Sequence, residues 1–226
     1  MNLVIDIGNS LTKTALFSGN DPVSFSSFEI LSADALKKVF DTNPVVDRVI
    51  LSSVVEHDDY IVEYIKSKSN LIELNHETKL PIENLYASPQ TLGKDRLACA
   101  TGANLLFRNK NVLSIDAGTC IKYDFVNSNN QYLGGGISPG IETRFKALNT
   151  FTDKLPLVKY RYFDQLIGQN TEESILSGVM NGVAEEVKGT IERYKQQYPD
   201  VQVVCTGGYL KFFEKILNIG SNGKSN

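Results

Sequence analysis

Residues 112–125, VLSIDAGTCIKYDF, hold an apolar run that stops at an aspartate, a glycine-containing turn and a second alternating run. Aspartate is a poor strand residue, and a carboxylate closing a buried strand is costly unless a partner meets it. The N-terminal stretch repeats the arrangement. LVIDIGNSLTKTALF (residues 3–17) puts Asp6, Gly8 and Asn9 where the later stretch has Asp116, Gly118 and Thr119. The two aspartates stand 110 residues apart in a chain of 226. Strand, Asp-x-Gly turn and strand therefore open each half, and the spacing predicts a duplicated fold, with halves 1–109 and 110–226.

Working outward, residues 3–5, 12–17, 23–30, 48–54 and 71–74 read as strands, and 58–66 as a helix. Ser32 is an N-cap candidate for a helix running to Phe40. Gly93 precedes a helical run in which Leu97, Ala100, Ala103, Asn104 and Phe107 fall near one face. After the strand 112–115 comes a hairpin, 121–126 returning at Tyr132 and Leu133. The longest helix starts near Asn170, which can cap with Glu173, and ends before Pro199. Its stripe Ile175, Val179, Val183, Val187, Ile191 and Tyr194 suits either a core or a dimer face. A last strand runs into Gly207 and Gly208, and residues 220–226 have a disordered composition. Strands alternating with helices predict an α/β layered fold.

Composition narrows the function. Hydrophobic content of 42% and charged content of 22% are ordinary globular values. A net charge of −3 gives no support for a partner held through nucleic-acid phosphates. Cys99, Cys120 and Cys205 form no CxxC pair, so inert thiols are expected rather than a zinc site or a disulfide framework. The first ten residues carry Asp6 and no basic cluster, and no apolar run reaches a membrane span. A soluble, cytoplasmic protein is expected.

Several motifs fail on inspection. Gly136-Ile-Ser-Pro-Gly140 matches the hydrolase nucleophile elbow, but Pro139 has no N–H for an oxyanion hole. Both histidines, His57 and His76, precede that serine, the wrong order for its triad. Neither has a partner at metal spacing, and both are expected at the surface. The chain has no phosphate loop with a Gly-Lys-Ser/Thr ending and no dinucleotide glycine fingerprint. The paired Asp-x-Gly turns survive. Glycine permits a tight turn near a ligand, small hydroxyl and amide groups suit phosphate oxygens, and the carboxylates suit a cation. The tetrapeptide Gly93-Lys94-Asp95-Arg96 puts a carboxylate at a helix start, where the dipole favours its ionised form. An ionised aspartate near a hydroxyl is what phosphoryl transfer asks of its base, although the tetrapeptide alone reads first as a capping aspartate beside a surface arginine.

The segments DIGNSLTK, YASPQTLGKDR, DAGTCIKYDF, YLGGGISPG, ALNTFTDKLP, GQNTEESILSG and TGG, in this order, resemble the type III pantothenate kinases. That family belongs to the acetate and sugar kinase, Hsc70 and actin superfamily. The resemblance implies two ribonuclease H-like halves closing on ATP, and ATP-dependent phosphorylation of pantothenate to 4′-phosphopantothenate, the first step of coenzyme A biosynthesis. It further implies that Asp6, Ile7, Gly8, Asn9, Ser10, Leu11, Thr12 and Lys13 form a phosphate loop near Mg2+ and ATP, which Thr119 also contacts. Asp95 would be the catalytic base. Tyr86, Gly93, Lys94 and Arg96 would line the pantothenate pocket, and Thr171 would reach pantothenate across a homodimer interface. Asp116 would ligate a monovalent cation, K+ or NH4+. The chain departs from the family at the second turn, where Ala117 replaces an aromatic and Ile121 and Lys122 replace threonines. Two other readings stay open: a non-catalytic nucleotide-binding accessory protein of the same fold, and a superfamily phosphatase.

Overall fold

Leu3, Ile5 and Ile7 alternate with Asn2, Val4 and Asp6, which makes a strand with one buried face. In the computed structural model, which describes residues 1–43 and 45–217, this strand is β1 (Asn2–Ile7). β2 (Thr12–Ser18) and β3 (Asp21–Phe28) follow as antiparallel neighbours. Helix α1 (Ala33–Thr42) starts at Ser32, whose hydroxyl accepts the Ala35 N–H at 3.1 Å and satisfies one donor of the first turn. It leads to β4 (Arg48–Ser53), parallel to β1. Asp58 caps α2 (Asp59–Lys68), and β5 (Asn70–Glu73) then pairs parallel with β4. The sheet order is β3-β2-β1-β4-β5. Leu3, Ile5, Leu36, Phe40, Leu51 and Ile65 lie at the heart of its core.

Packing divides the chain into two units. One comprises Met1–Leu80 and Ala87–Ala98; the other comprises Pro81–Tyr86 and the chain from Cys99 onward. β6 (Glu83–Asn84) is a two-residue strand, followed by a short 3-10 turn, Pro89–Thr91, and helix α3 (Lys94–Leu106). The second sheet is built from β7 (Val112–Ala117), β8 (Cys120–Val126) and β9 (Gln131–Pro139). Helices α4 (Ile141–Thr150) and α5 (Thr171–Gln197) come next, then β10 (Gln202–Thr206) and helix α6 (Leu210–Leu217). Its order is β10-β7-β8-β9-β6. With β7, β8, β9 and β10 read for β1, β2, β3 and β4, order and strand directions repeat. The fold is therefore α/β and duplicated, as the paired turns imply, in the ribonuclease H-like arrangement that the family resemblance implies. The sheets differ at their edges: β5 lies beyond β4, whereas β6 lies beyond β9.

Some sequence expectations need correction. The third strand ends at Phe28, which leaves Ile30 81% exposed beyond it. Phe107 does not join the buried face of α3, because the helix ends at Leu106 and the ring is exposed. The apolar stripe of α5 belongs to its own unit's core: Ile175, Val179, Val183, Val187 and Ile191 are buried there, and Tyr194 packs against them. That stripe is not a free dimer face. The β9 strand runs much further than Leu133 and takes Gly134, Gly135 and Gly136 with it. The glycine at 135 is required, since a Cβ there would fall 1.6 Å from the Tyr123 carbonyl oxygen. Helix α6 was not expected; Phe212 and Phe213 bury it against the second core. Residues 220–226 lie outside the described residues. Among the described residues no helix is long and apolar enough to cross a membrane.

Candidate active site

The first turn joins β1 and β2 through Gly8, Asn9, Ser10 and Leu11. The Gly8 N–H donates to the Leu11 carbonyl at 3.1 Å and closes the loop. Asn9, Ser10, Leu11 and Lys13 are exposed, whereas Thr12 is buried. Asp6 stands on the face of β1 opposite Leu3, Ile5 and Ile7. Its ladder neighbours are Lys13 on β2 and Ser52 on β4. The Ser52 hydroxyl is buried with no hydrogen-bond partner among the described residues. A carboxylate, an orphaned hydroxyl and exposed Asn and Ser oxygens are hard donors, which suit Mg2+ and its water shell. The residues here fit that ion.

The second turn is tighter. β7 and β8 are joined by Gly118 and Thr119 alone, and the Gly118 N–H donates to the Cys120 carbonyl at 3.0 Å. The Thr119 carbonyl accepts the Gly140 N–H at 2.9 Å and the Thr143 hydroxyl at 2.6 Å. A Cβ on Gly140 would stand 2.2 Å from the Gly118 carbonyl oxygen. Gly207, at φ +101°, lies against Ala117, and a Cβ there would meet its carbonyl oxygen at 2.4 Å. The chain past β10 must therefore be glycine to pass this close, in a backbone conformation that other residues rarely adopt. Thr119 itself is exposed.

Across the β7–β8 ladder Asp116 faces Lys122. The ammonium Nζ lies 2.6 Å from Asp116 Oδ2, with the side chains only 15% and 19% exposed. A monovalent cation on the same carboxylate oxygen would stand roughly 4 Å from the ammonium, where like charges repel by about 4 kcal/mol at an effective dielectric of about 20. The residues of this turn therefore do not fit the K+ or NH4+ ion that the family resemblance implies.

Gly93 precedes α3, and Lys94, Asp95 and Arg96 open it, as the sequence placed them. The Asp95 carboxylate folds back to accept the Arg96 N–H at 2.9 Å in the first turn of the helix. It lies over Gly93, where a Cβ would stand 2.6 Å from Asp95 Oδ1. Arg96 is buried at 5% exposure, and Leu97 donates its N–H to the Gly93 carbonyl.

Tyr86 belongs to the second unit, where its ring lies on Gly134. It also packs at 6.1 Å from Tyr132, whose hydroxyl donates to the buried Asp124 at 2.7 Å. Thr171 is the first residue of α5 and is exposed, next to the Asn170 cap that accepts the Glu173 N–H at 2.9 Å.

Sequence reasoning missed one cluster. Glu186 of α5 accepts hydrogen bonds from Tyr123 at 2.9 Å, Ser138 at 2.5 Å and Arg144. Burial alone pushes its carboxyl up, but those three donors outweigh burial and hold it below the usual range. Arg144 also donates from Nε to the Pro139 carbonyl at 2.9 Å, which ties the end of β9 to α4 beside the second turn. Burial, then the charge of Glu214, pushes the Cys205 thiol up to about 11, so it stays protonated at neutral pH and is a poor nucleophile.

Similarity to known proteins bears on this geometry. The sequence pattern of the type III pantothenate kinase family matches residues 2–193. A type III pantothenate kinase of Christiangramia forsetii is 45% identical, covering 92% of this chain and 86% of its own. One from Cytophaga hutchinsonii is 43% identical, covering 96% and 90%. Among solved structures, a Campylobacter jejuni protein named as a Baf family transcriptional activator superposes with a TM-score of 0.53 at 22% identity, over 94% of this chain and 86% of that one. The activator of 2-hydroxyisocaproyl-CoA dehydratase from Clostridium difficile, solved with bound ADPNP, gives 0.50 at 14% identity, over 96% and 85%. These two likenesses concern the fold.

Proposed function

The chain belongs to the type III pantothenate kinases, and from that premise we propose how its own residues phosphorylate pantothenate in coenzyme A biosynthesis. The γ-phosphoryl group of ATP passes to the primary hydroxyl of pantothenate. The bond from phosphorus to the β–γ bridging oxygen breaks, a bond to the substrate oxygen forms, and the hydroxyl proton leaves to a base. ADP and 4′-phosphopantothenate are the products.

The observation that carries this reading is the Asp95 carboxylate, held at the start of α3 over a glycine and beside the buried Arg96. Asp95 takes the proton, a role worth about 10²–10⁴ in rate. Gly93 leaves room for that carboxylate, and Lys94, Arg96 and Tyr86 hold pantothenate. Thr171 completes the pocket of a second copy in a homodimer. Asp6 and the loop from Ile7 to Lys13 hold the triphosphate, with Gly8 keeping the turn tight and Asn9 and Ser10 presenting polar groups. Thr119 contacts ATP from the second turn. Asp6 and Ser52 would hold Mg2+, which offsets phosphate charge when bound. The enzyme works in the cytoplasm.

The test is product analysis by mass spectrometry after incubation with Mg2+, ATP and pantothenate. Pantothenate heavier by one phosphoryl group is the expected product. Phosphate release that ignores pantothenate would instead make the chain a hydrolase, and nucleotide binding without turnover would make it an accessory protein.

A further inference from the structure

The misfit between Asp116 and a monovalent cation has a consequence for what this enzyme needs. Lys122 is held against Asp116 by more than its own flexibility. The flanking strand residues Ile115, Ala117, Ile121 and Tyr123 are all buried, so the two strands cannot slide. Gly140 and Gly207 press on the turn backbone from two elements, so it cannot open without moving both. A lysine across from the aspartate is not enough by itself. The first unit has Lys13 across from Asp6, but Lys13 is exposed. Lys122, by contrast, is mostly buried and lies 2.6 Å from its carboxylate.

We propose that Lys122 is a built-in monovalent cation: its ammonium takes the place on Asp116 that K+ or NH4+ would occupy, so this chain needs no added monovalent cation. An alkylammonium carries the same single charge and presents N–H donors to oxygen, as a free ammonium ion does. Tethering it removes the dependence on ion concentration.

Two measurements test this, one without turnover. The first is thallium(I) NMR, in which the thallous ion stands in for K+, joined to melting curves in KCl and in tetramethylammonium chloride. The wild-type chain is expected to show no saturable thallium binding and no melting shift specific to KCl. Lys122→Ala is expected to gain both. The second is turnover at equal ionic strength. The wild-type rate is expected to agree within about twofold among K+, Na+ and tetramethylammonium. Lys122→Ala is expected to fall about tenfold or more in tetramethylammonium and to recover with NH4+. Saturable thallium binding to the wild type, displaced by K+, would overturn the proposal, as would activation of the wild type by K+ of about tenfold. A Lys122→Ala variant that folds yet neither binds thallium nor responds to NH4+ would reduce Lys122 to a structural ion pair. If that variant does not fold, Lys122→Gln replaces it in both measurements. The turnover arm rests on the pantothenate kinase reading. Absence of pantothenate-dependent turnover in every salt would sink that reading, while thallium binding would still decide the role of Lys122.

Discussion

The loop between β1 and β2 and the loop between β7 and β8 stand at the same place in two sheets that share the order of four strands, yet they are supported differently. The first has four residues closed by one backbone bond, with Asn9, Ser10 and Leu11 exposed. The second is shorter, and its carbonyls are engaged from outside. Thr119 accepts from Gly140 and Thr143, and Ala117 accepts the Tyr209 N–H at 3.2 Å. Its aspartate also carries a lysine. The difference teaches a division of labour. A loop whose carbonyls are engaged from outside is held in shape by the elements around it, whereas a loop with exposed side chains presents them outward, where phosphates and metal would meet them.

The sharpest break in that comparison is Asp6→Asn. Loss of a carboxylate that serves the ligand should lower turnover about 10²–10³-fold and act on turnover more than on the melting temperature. Steady-state kinetics beside a melting curve reads both. Gly140→Ala and Gly207→Ala should do the reverse. Each puts a Cβ within 2.4 Å of a backbone oxygen of or beside the second turn. A cost of about 2–4 kcal/mol is expected. The matching change in the first turn, Gly8→Ala, meets the Leu11 carbonyl only at 3.1 Å. It should cost under about 1 kcal/mol, so denaturant melts of the three variants rank the turns.

Gly93→Ala separates position from fold. The new Cβ crowds the end of the Asp95 side chain, at 2.6 Å, while Arg96 Cγ and Cδ stand at ordinary contact distances of 3.6 and 3.7 Å. The carboxylate must move while the backbone need not. Turnover should fall about tenfold with an unchanged melting temperature. A variant that unfolds would show that Gly93 serves packing instead.

The smallest effect concerns Glu186 and pH. Its hydrogen bonds hold the carboxyl below its usual value near 4.5. A depressed folded-state value stabilises the fold above the unfolded value, and that contribution is lost as pH falls through the folded one. Wild-type melting temperature should therefore drop more steeply than that of Glu186→Gln below about pH 4.5. Parallel slopes would mean that the cluster does not discriminate the charged form.

Both hairpins were legible because their signal is local: an Asp-x-Gly between two alternating runs carries strand, turn and strand within about 15 residues. Ser32 and Asn170 were legible as caps for the same reason, since each acts on an N–H three residues on. Asp95 and Gly93 lie two positions apart, so the placing of a carboxylate at the start of α3 could be read too. Glu186 could not, because its donors Tyr123, Ser138 and Arg144 come from three other elements, up to 63 residues away. The need for glycine at 140 arises from carbonyls across the sheet, which no spacing announces. Helix α6 escaped because two adjacent phenylalanines define no helical face until the core they enter is known. β6 is only two residues long and pairs with β9, far along the chain.

The most direct test of the whole account is ADP release from Mg2+ and ATP, with and without pantothenate, in the wild-type chain and in Asp95→Asn. The expected result is release that depends on pantothenate and falls by about 10²–10⁴ in the variant, with the melting temperature retained. Release that persists without pantothenate, or that survives the loss of Asp95, would contradict it.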